Sequence, residues 1–193
     1  MADEDREKWD ERYKSGSHAR GQAPGWLRDL EEDLPVEGRA LDVAAGTGRV
    51  AVWLGRRGLE VVAVDISPVG LALAREAAAD EAVRIKTHVA DLEKDPLPEG
   101  PFDVIACFHY RQRNLFSPIR DALAPGGVVV VELPTVRNLE RNLSPSRRWL
   151  AESNELLRDL SGLSVLYYRE RWVGGRHLAR MVARRDRQAD PSP

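Results

Sequence analysis

The amino-acid sequence predicts an α/β fold built on a mostly parallel sheet, and three observations carry that prediction. Short apolar runs alternate with helical stretches from residue 36 to residue 185, the pattern of repeated strand–helix–strand units. A Gly-x-Gly turn, Gly46-Thr47-Gly48, follows an apolar run that holds Asp42, the junction used to bring a strand end up to a nucleoside. Near the C-terminus two alternating runs are joined by Gly174-Gly175, a hairpin signal that closes the sheet with an antiparallel element. The 193 residues, 42% hydrophobic and 31% charged, suit one globular domain over 1–193, with an N-terminal helical extension (1–35) and a core (36–185).

The elements follow in order. Residues 3–14 read as a helix: Asp3, Glu4 and Asp5 favour its positive end, and Trp9 and Tyr13 are spaced to share a face. Ser15 to Gly25 reads as a loop and Trp26 to Leu34 as a short helix. Arg39 to Val43 is the first strand. Gly48 to Arg57 is a helix with Val50, Trp53 and Leu54 on one face and Gly58 as its stop. Leu59 to Val64 is a near-continuous apolar strand, as expected of a sheet covered on both faces. Ser67-Pro68 starts a helix that runs to about Glu81. Val83 to Val89 alternates as a third strand, and Phe102 to Phe108 is the fourth. Asn114 to Ala124 is helical, Pro125-Gly126-Gly127 turns, and Val128 to Val131 is the most apolar strand. Ser153 to Leu160 is a helix, Leu163 to Val173 and His177 to Arg185 form the hairpin, and Arg187 to Pro193 reads as a frayed tail.

Composition excludes several classes. A net charge of −2 argues against wholesale binding of polyanions, so a nucleic-acid partner is not expected. The seven arginines from Arg169 to Arg187 make the C-terminal third basic, but strand alternation spreads them over both faces and a solvated edge accounts for them. Cys107 is the single cysteine, which rules out an internal disulfide framework and a thiolate metal cluster, and no metal site is expected. No apolar run approaches the ~20 residues that span a bilayer, and the charged N-terminus lacks the apolar core of a signal peptide. A cytoplasmic enzyme is the default reading, with oligomeric state left open.

The Asp42 and Gly46-Gly48 turn is followed, about twenty residues on, by a second strand-end carboxylate, Asp65, the offset expected of a ribose-holding acid. Gly46 and Gly48 let the backbone approach a ligand without a Cβ in the way. A tight turn without ligand is the plainer account of the glycines, and a helix-capping carboxylate is the plainer account of Asp65.

Five segments in order carry a family resemblance: Leu41-Asp42-Val43-Ala44-Ala45-Gly46-Thr47-Gly48-Arg49, Val61-Val62-Ala63-Val64-Asp65-Ile66-Ser67, Ala90-Asp91-Leu92, Phe102-Asp103-Val104-Ile105 and Pro125-Gly126-Gly127. Together they resemble a class I S-adenosylmethionine-dependent methyltransferase over residues 36–185. A narrower likeness, carried by Trp9-Asp10-Glu11-Arg12-Tyr13, by Gly-Thr-Gly-Arg and by Asn154-Glu155-Leu156-Leu157, is to the tellurite-resistance and thiol-type methyltransferases, where Cys often stands at the place of Ala45. The resemblance implies a Rossmann-like seven-stranded sheet of order 3-2-1-4-5-7-6 with helices on both faces, and S-adenosylmethionine as cofactor. It implies cofactor contacts from Ala44, Gly46 and Gly48, Asp65 and Ile66 at the ribose, Asp91 and Leu92 at the adenine, Asp42 at the methionyl amino group, and Cys107 at the end of the fourth strand. Trp9 and Tyr13 either close over the cofactor as a lid, their faces attracting the sulfonium, or pack a terminal helix.

The acceptor is expected beyond the fourth strand, where His109 offers a base and Arg111 or Arg113 an anion clamp. A strand-end packing role is the alternative for His109, and an inert buried thiol the alternative for Cys107. No Pro-Pro-aromatic clamp is present, which favours a small-molecule acceptor such as a thiol, a carboxylate or an oxyanion. A nicotinamide-dependent reductase also fits Gly46-Thr47-Gly48-Arg49-Val50-Ala51, although Asp42 lies where a dinucleotide-binding strand stays apolar. A catalytically silent cofactor-binding protein is the other rival.

Overall fold

The computed structural model describes residues 2–16, 21–30, 32–141 and 146–187. Helix α1 (Ala2–Lys14) and a 3-10 turn (Gly25–Leu30) precede the alternating core. The core runs β1 (Arg39–Val43), α2 (Arg49–Arg56), β2 (Glu60–Asp65), α3 (Pro68–Asp80), β3 (Ile85–Val89), β4 (Phe102–Phe108), α4 (Phe116–Asp121), β5 (Leu123–Pro134), α5 (Glu155–Asp159), β6 (Ser164–Val173) and β7 (Arg176–Arg184). The seven strands form one sheet of order β3-β2-β1-β4-β5-β7-β6, parallel as far as β5 and antiparallel through β7 and β6. The order is the one the resemblance implies.

Strand alternation sends two sets of side chains to two apolar layers. One face of β1, β4, β5 and β7 packs Leu41, Val43, Ile105, Val129, Val131 and Met181 against Phe116 and Ile119 of α4 and Leu156 of α5. The other packs Ala40, Val104, Val128, Val130 and Val182 against Leu27 and Leu30, Val50, Ala51 and Leu54 of α2, and Leu71 of α3. Each of the larger buried side chains contributes roughly 1.5–3 kcal/mol. Burial on both faces is why the central strands read as continuous apolar runs. β3, at the edge, alternates and stays largely exposed.

Local departures have local causes. The expected helix over Trp26 to Leu34 is a six-residue 3-10 turn that buries Leu27 and Leu30, whose three-residue spacing places them on one face of a 3-10 helix. The helix expected from Asn114 opens as a 3-10 turn (Arg113–Leu115) before α4, because Pro118 supplies no amide to the first turn. Pro125-Gly126-Gly127 is an irregular bulge inside β5: register passes from Phe102 opposite Leu123 to Val104 opposite Val128, and Gly126 has φ 83°. Ser67 caps α3, its hydroxyl accepting from Gly70 N at 3.0 Å, with Pro68 opening the helix. Gly174 and Gly175 both have positive φ, as the expected hairpin turn requires. The tail beyond Arg187 and residues 17–20 of the expected loop lie outside the described residues. Among the described residues no helix is long and apolar enough to cross a membrane.

Candidate active site

The parallel strands end together at one edge of the sheet, and the residues singled out in the sequence gather there. Asp42, the penultimate residue of β1, is buried, and its Oδ2 accepts from Ala51 N at 2.9 Å. It does the work of a cap for α2, whose own cap residue Gly48 has no side chain. Asp65, at the end of β2, is also buried; Oδ2 accepts from Gly46 N at 2.8 Å and Oδ1 from Ser67 N at 2.9 Å. The two carboxylates thus hold the glycine turn from both sides. Neither forms an ion pair among the described residues. Burial, and then Asp65, push the Asp42 carboxyl up to about 7, against the pull of the Ala51 amide. Burial also raises Asp65, opposed by the Ser67 and Gly46 amides. Asp65 is thus buried rather than solvated, and the side chain that caps α3 is that of Ser67.

The turn itself is shaped by close approach. A Cβ on Gly48 would lie 2.6 Å from Ala74 Cβ, so glycine lets α2 and α3 pack. Ala44 takes φ 55°, a left-handed conformation that costs an L-residue roughly 1–2 kcal/mol; strain of this kind gathers at functional sites. Tyr13 of α1 lies across the turn: a Cβ on Gly46 would be 2.8 Å from its hydroxyl, and one on Gly70 would be 2.8 Å from its ring. Trp9 stacks on Tyr13 at 5.7 Å between centroids, and Asp10 bonds the Ser67 hydroxyl. Burial, and then Asp65, raise the Tyr13 phenol. The N-terminal helix is docked on the glycine cradle.

After β3, Asp91 Oδ1 accepts from Glu93 N at 3.1 Å and Oδ2 pairs with Lys94, while Leu92 is buried. Ile66 is half-buried between Asp65 and Ser67. Cys107 is buried, its thiol donates to Tyr110 O at 3.2 Å, and burial followed by Asp42 pushes it up to about 12. It is an inert core thiol with almost no surface to offer a ligand.

Arg111 differs from expectation. Its guanidinium grips Glu155 of α5, Nε to Oε1 at 2.5 Å and Nη2 to Oε2 at 2.8 Å, and donates to Arg148 O at 2.7 Å. Its side chain is 13% exposed and that of Glu155 1%. Burial raises the Glu155 carboxyl, but the Arg111 bonds and the Glu152 amide bring it below its usual range. The fork is committed to a bidentate pair, and Arg113 pairs with Asp159. The Arg111 fork is taken up by Glu155, while the Arg113 side chain is 60% exposed.

His109 stands apart from them, with φ 59° and a side chain 35% exposed. Its Nε2 lies 3.3 Å from Oε1 of Glu132. Burial lowers its pKa, Glu132 raises it, and Arg49, Arg176 and Arg180 lower it again. Glu132 and Arg180 are the site residues the sequence reading missed. The signal for Glu132 was a lone carboxylate at the end of the most apolar run, Val128 to Val131. Arg180, counted in the sequence with a solvated basic edge, is 12% exposed and bonds Glu132 Oε2 through Nε at 2.7 Å.

Residues 40–127 match the family of methyltransferase domains. The chain is 38% identical to a demethylmenaquinone methyltransferase of Thermus thermophilus over 104 residues, covering 50% of this chain and 47% of that protein. It is 37% identical to a ribosomal protein L11 methyltransferase of Symbiobacterium thermophilum over 118 residues, 60% of this chain and 38% of that one. It spans about half the length, or less, of these curated relatives. In three dimensions it superposes on TehB from Haemophilus influenzae with a TM-score of 0.73 and 20% identity, covering 92% of this chain and 67% of that one, a likeness of fold. With the strand order, the glycine turn and both strand-end carboxylates in place, the chain is similar over residues 40–127 to the class I S-adenosylmethionine-dependent methyltransferase domains.

Proposed function

We propose that the protein transfers the methyl group of S-adenosylmethionine to a small-molecule acceptor that is anionic or loses a proton on reaction, in the cytoplasm. The observation that carries the cofactor half is the pair of buried carboxylates, Asp42 and Asp65, neither in an ion pair among the described residues, although the Arg49 charge reaches Asp42. Such a pair is costly unless a ligand supplies donors or positive charge. The cofactor fits: its ribose hydroxyls suit Asp65, its ammonium suits Asp42, and its adenine suits the Asp91–Leu92 turn. The glycine cradle leaves the backbone of Gly46 and Gly48 open to it once Tyr13 moves aside. When bound, the cofactor supplies an electrophilic methyl whose bond to sulfur breaks with the electron pair kept on sulfur.

The protein's own part is to orient the acceptor, exclude water and take a proton. His109, its pKa lowered, is a neutral imidazole near pH 7 and able to accept one. The charges of Arg49, Arg176 and Arg180 around it favour an acceptor that is or becomes an anion. Thiols, phenols, carboxylates and oxyanions meet that description. The similarity to a demethylmenaquinone methyltransferase supports a small acceptor, and nothing favours a reductase.

Asp65→Ala tests the reading. It removes two charge-assisted hydrogen bonds to the ribose, each worth about 1.5–3 kcal/mol. Calorimetry with S-adenosylhomocysteine should show affinity falling at least tenfold, with NADH binding to neither form. Unchanged affinity would reject the ribose assignment.

A further inference from the structure

Glu132 is a buried carboxylate, 3% exposed, between the valine run Val128 to Val131 and Leu133 of β5. Strand register explains its neighbours. It lies opposite Phe108 on β4, one residue before His109, and opposite Arg180 on β7. Arg180 holds one oxygen at 2.7 Å, and its guanidinium also lies 5.0 Å from the Trp26 ring centroid, which fixes it from a second side. The other oxygen, Oε1, lies 3.3 Å from His109 Nε2, within ion-pair distance. The histidine backbone is held as well: its N donates to Glu132 O at 2.8 Å, in a left-handed conformation that the next residue of a strand does not adopt by itself. Among the described residues Nδ1 has no partner.

We propose that Glu132, itself held by Arg180, is a positioning residue that fixes the His109 tautomer with the proton on Nε2, leaving Nδ1 as the base for the acceptor. A carboxylate accepts but does not donate, so the nitrogen facing it must carry the hydrogen. The 3.3 Å separation is long for a hydrogen bond, as in sites that tighten only around substrate. In the reaction the acceptor's proton passes to Nδ1. The electron pair that held it remains on the acceptor atom and forms the new bond to carbon. The imidazolium then has both nitrogens protonated, one facing Glu132, and returns its proton to solvent. The arrangement follows the general logic of a base oriented by a third group. Arg49, Arg176 and Arg180 oppose the imidazolium and Glu132 favours it, so without the carboxylate the base would be weaker as well as misdirected.

The tautomer part of this inference stands by itself, and its use in methyl transfer rests on the proposed function. Nitrogen-15 NMR of the imidazole, with the full chain saturated in S-adenosylhomocysteine, reads the tautomer without any acceptor. The wild-type protein should show Nε2 protonated and Nδ1 bare at pH 7.5. Glu132→Gln keeps the shape, but its amide oxygen goes to Arg180 and its NH2 then faces His109, so the proton should move to Nδ1. With phenol as acceptor, which keeps its proton at pH 7.5, kcat should fall at least 100-fold while KM for phenol stays within threefold. A wild-type ring protonated on Nδ1, or a variant whose tautomer does not change, overturns the inference. A tautomer that switches while the wild-type protein methylates neither phenol nor a thiol, carboxylate or oxyanion panel sustains the positioning role and counts against the methyl-transfer reading instead.

Discussion

At the scale of single residues, the site is governed by carboxylates that fold against their own solvation. Asp42 is buried among apolar strands because the first turn of α2 needs an acceptor, and Ala51 N provides the bond. Its carboxyl titrates near 7 in the native state against about 4 in an unfolded chain. Between those values the native state keeps a proton that the unfolded chain has lost. This group's contribution is therefore present below pH 4 and is lost as pH rises from about 4 to about 7. Asp42→Asn keeps an acceptor for Ala51 and abolishes the titration. Urea unfolding should find the variant equal to wild type at pH 4 and more stable at pH 8 by on the order of 2–4 kcal/mol. Parallel stability curves at the two pH values would show that the carboxylate is solvated or paired. An ammonium beside Asp42 would favour its charged form, so cofactor affinity should be lost in the same variant.

At the scale of elements, the segment after β4 is fastened to α5 by an ion pair. The bidentate contact of Arg111 with the nearly inaccessible Glu155 joins the segment after β4 to the start of α5, and Arg148 extends the fastening to Glu93 after β3. Removing one partner of a buried pair leaves the other uncompensated, at a cost of about 3–5 kcal/mol. Arg111→Ala should thus lower the denaturant midpoint strongly, with S-adenosylhomocysteine affinity retained in the folded fraction. A stable variant that fails only in methyl transfer would return Arg111 to the acceptor site, where its position in the sequence put it. Spacing alone does not separate the two roles, because Glu155 is more than forty residues away in the chain.

At the scale of the whole molecule, topology brings the ends of β1, β2, β4 and β5 and the body of β7 to one edge, and α1 lies over it. Tyr13 fills the cradle between Gly46 and Gly70, and under the proposed function a bound cofactor displaces the ring and is then covered by it. Tyr13→Ala should raise the S-adenosylhomocysteine dissociation rate severalfold in stopped-flow measurements, since related complexes differ mainly in how fast they come apart. Slower release would make α1 a plug that competes with the ligand.

What the sequence determined by itself was local and periodic. Apolar runs specified the strands, Ser67-Pro68 specified the start of α3 and Gly174-Gly175 specified the hairpin, because each of these acts within one or two turns of chain, while the spacing of Asp42, Gly46 and Asp65 set out candidate cofactor residues. The pairing of Glu132 with Arg180 and His109, the commitment of Arg111 to Glu155 and the seating of Tyr13 on the glycine turn were decided only by tertiary structure. A charged side chain has no periodic signature of its own. Whether it is solvated, buried or paired depends on strand register and helix docking, which bring together groups far apart in the chain.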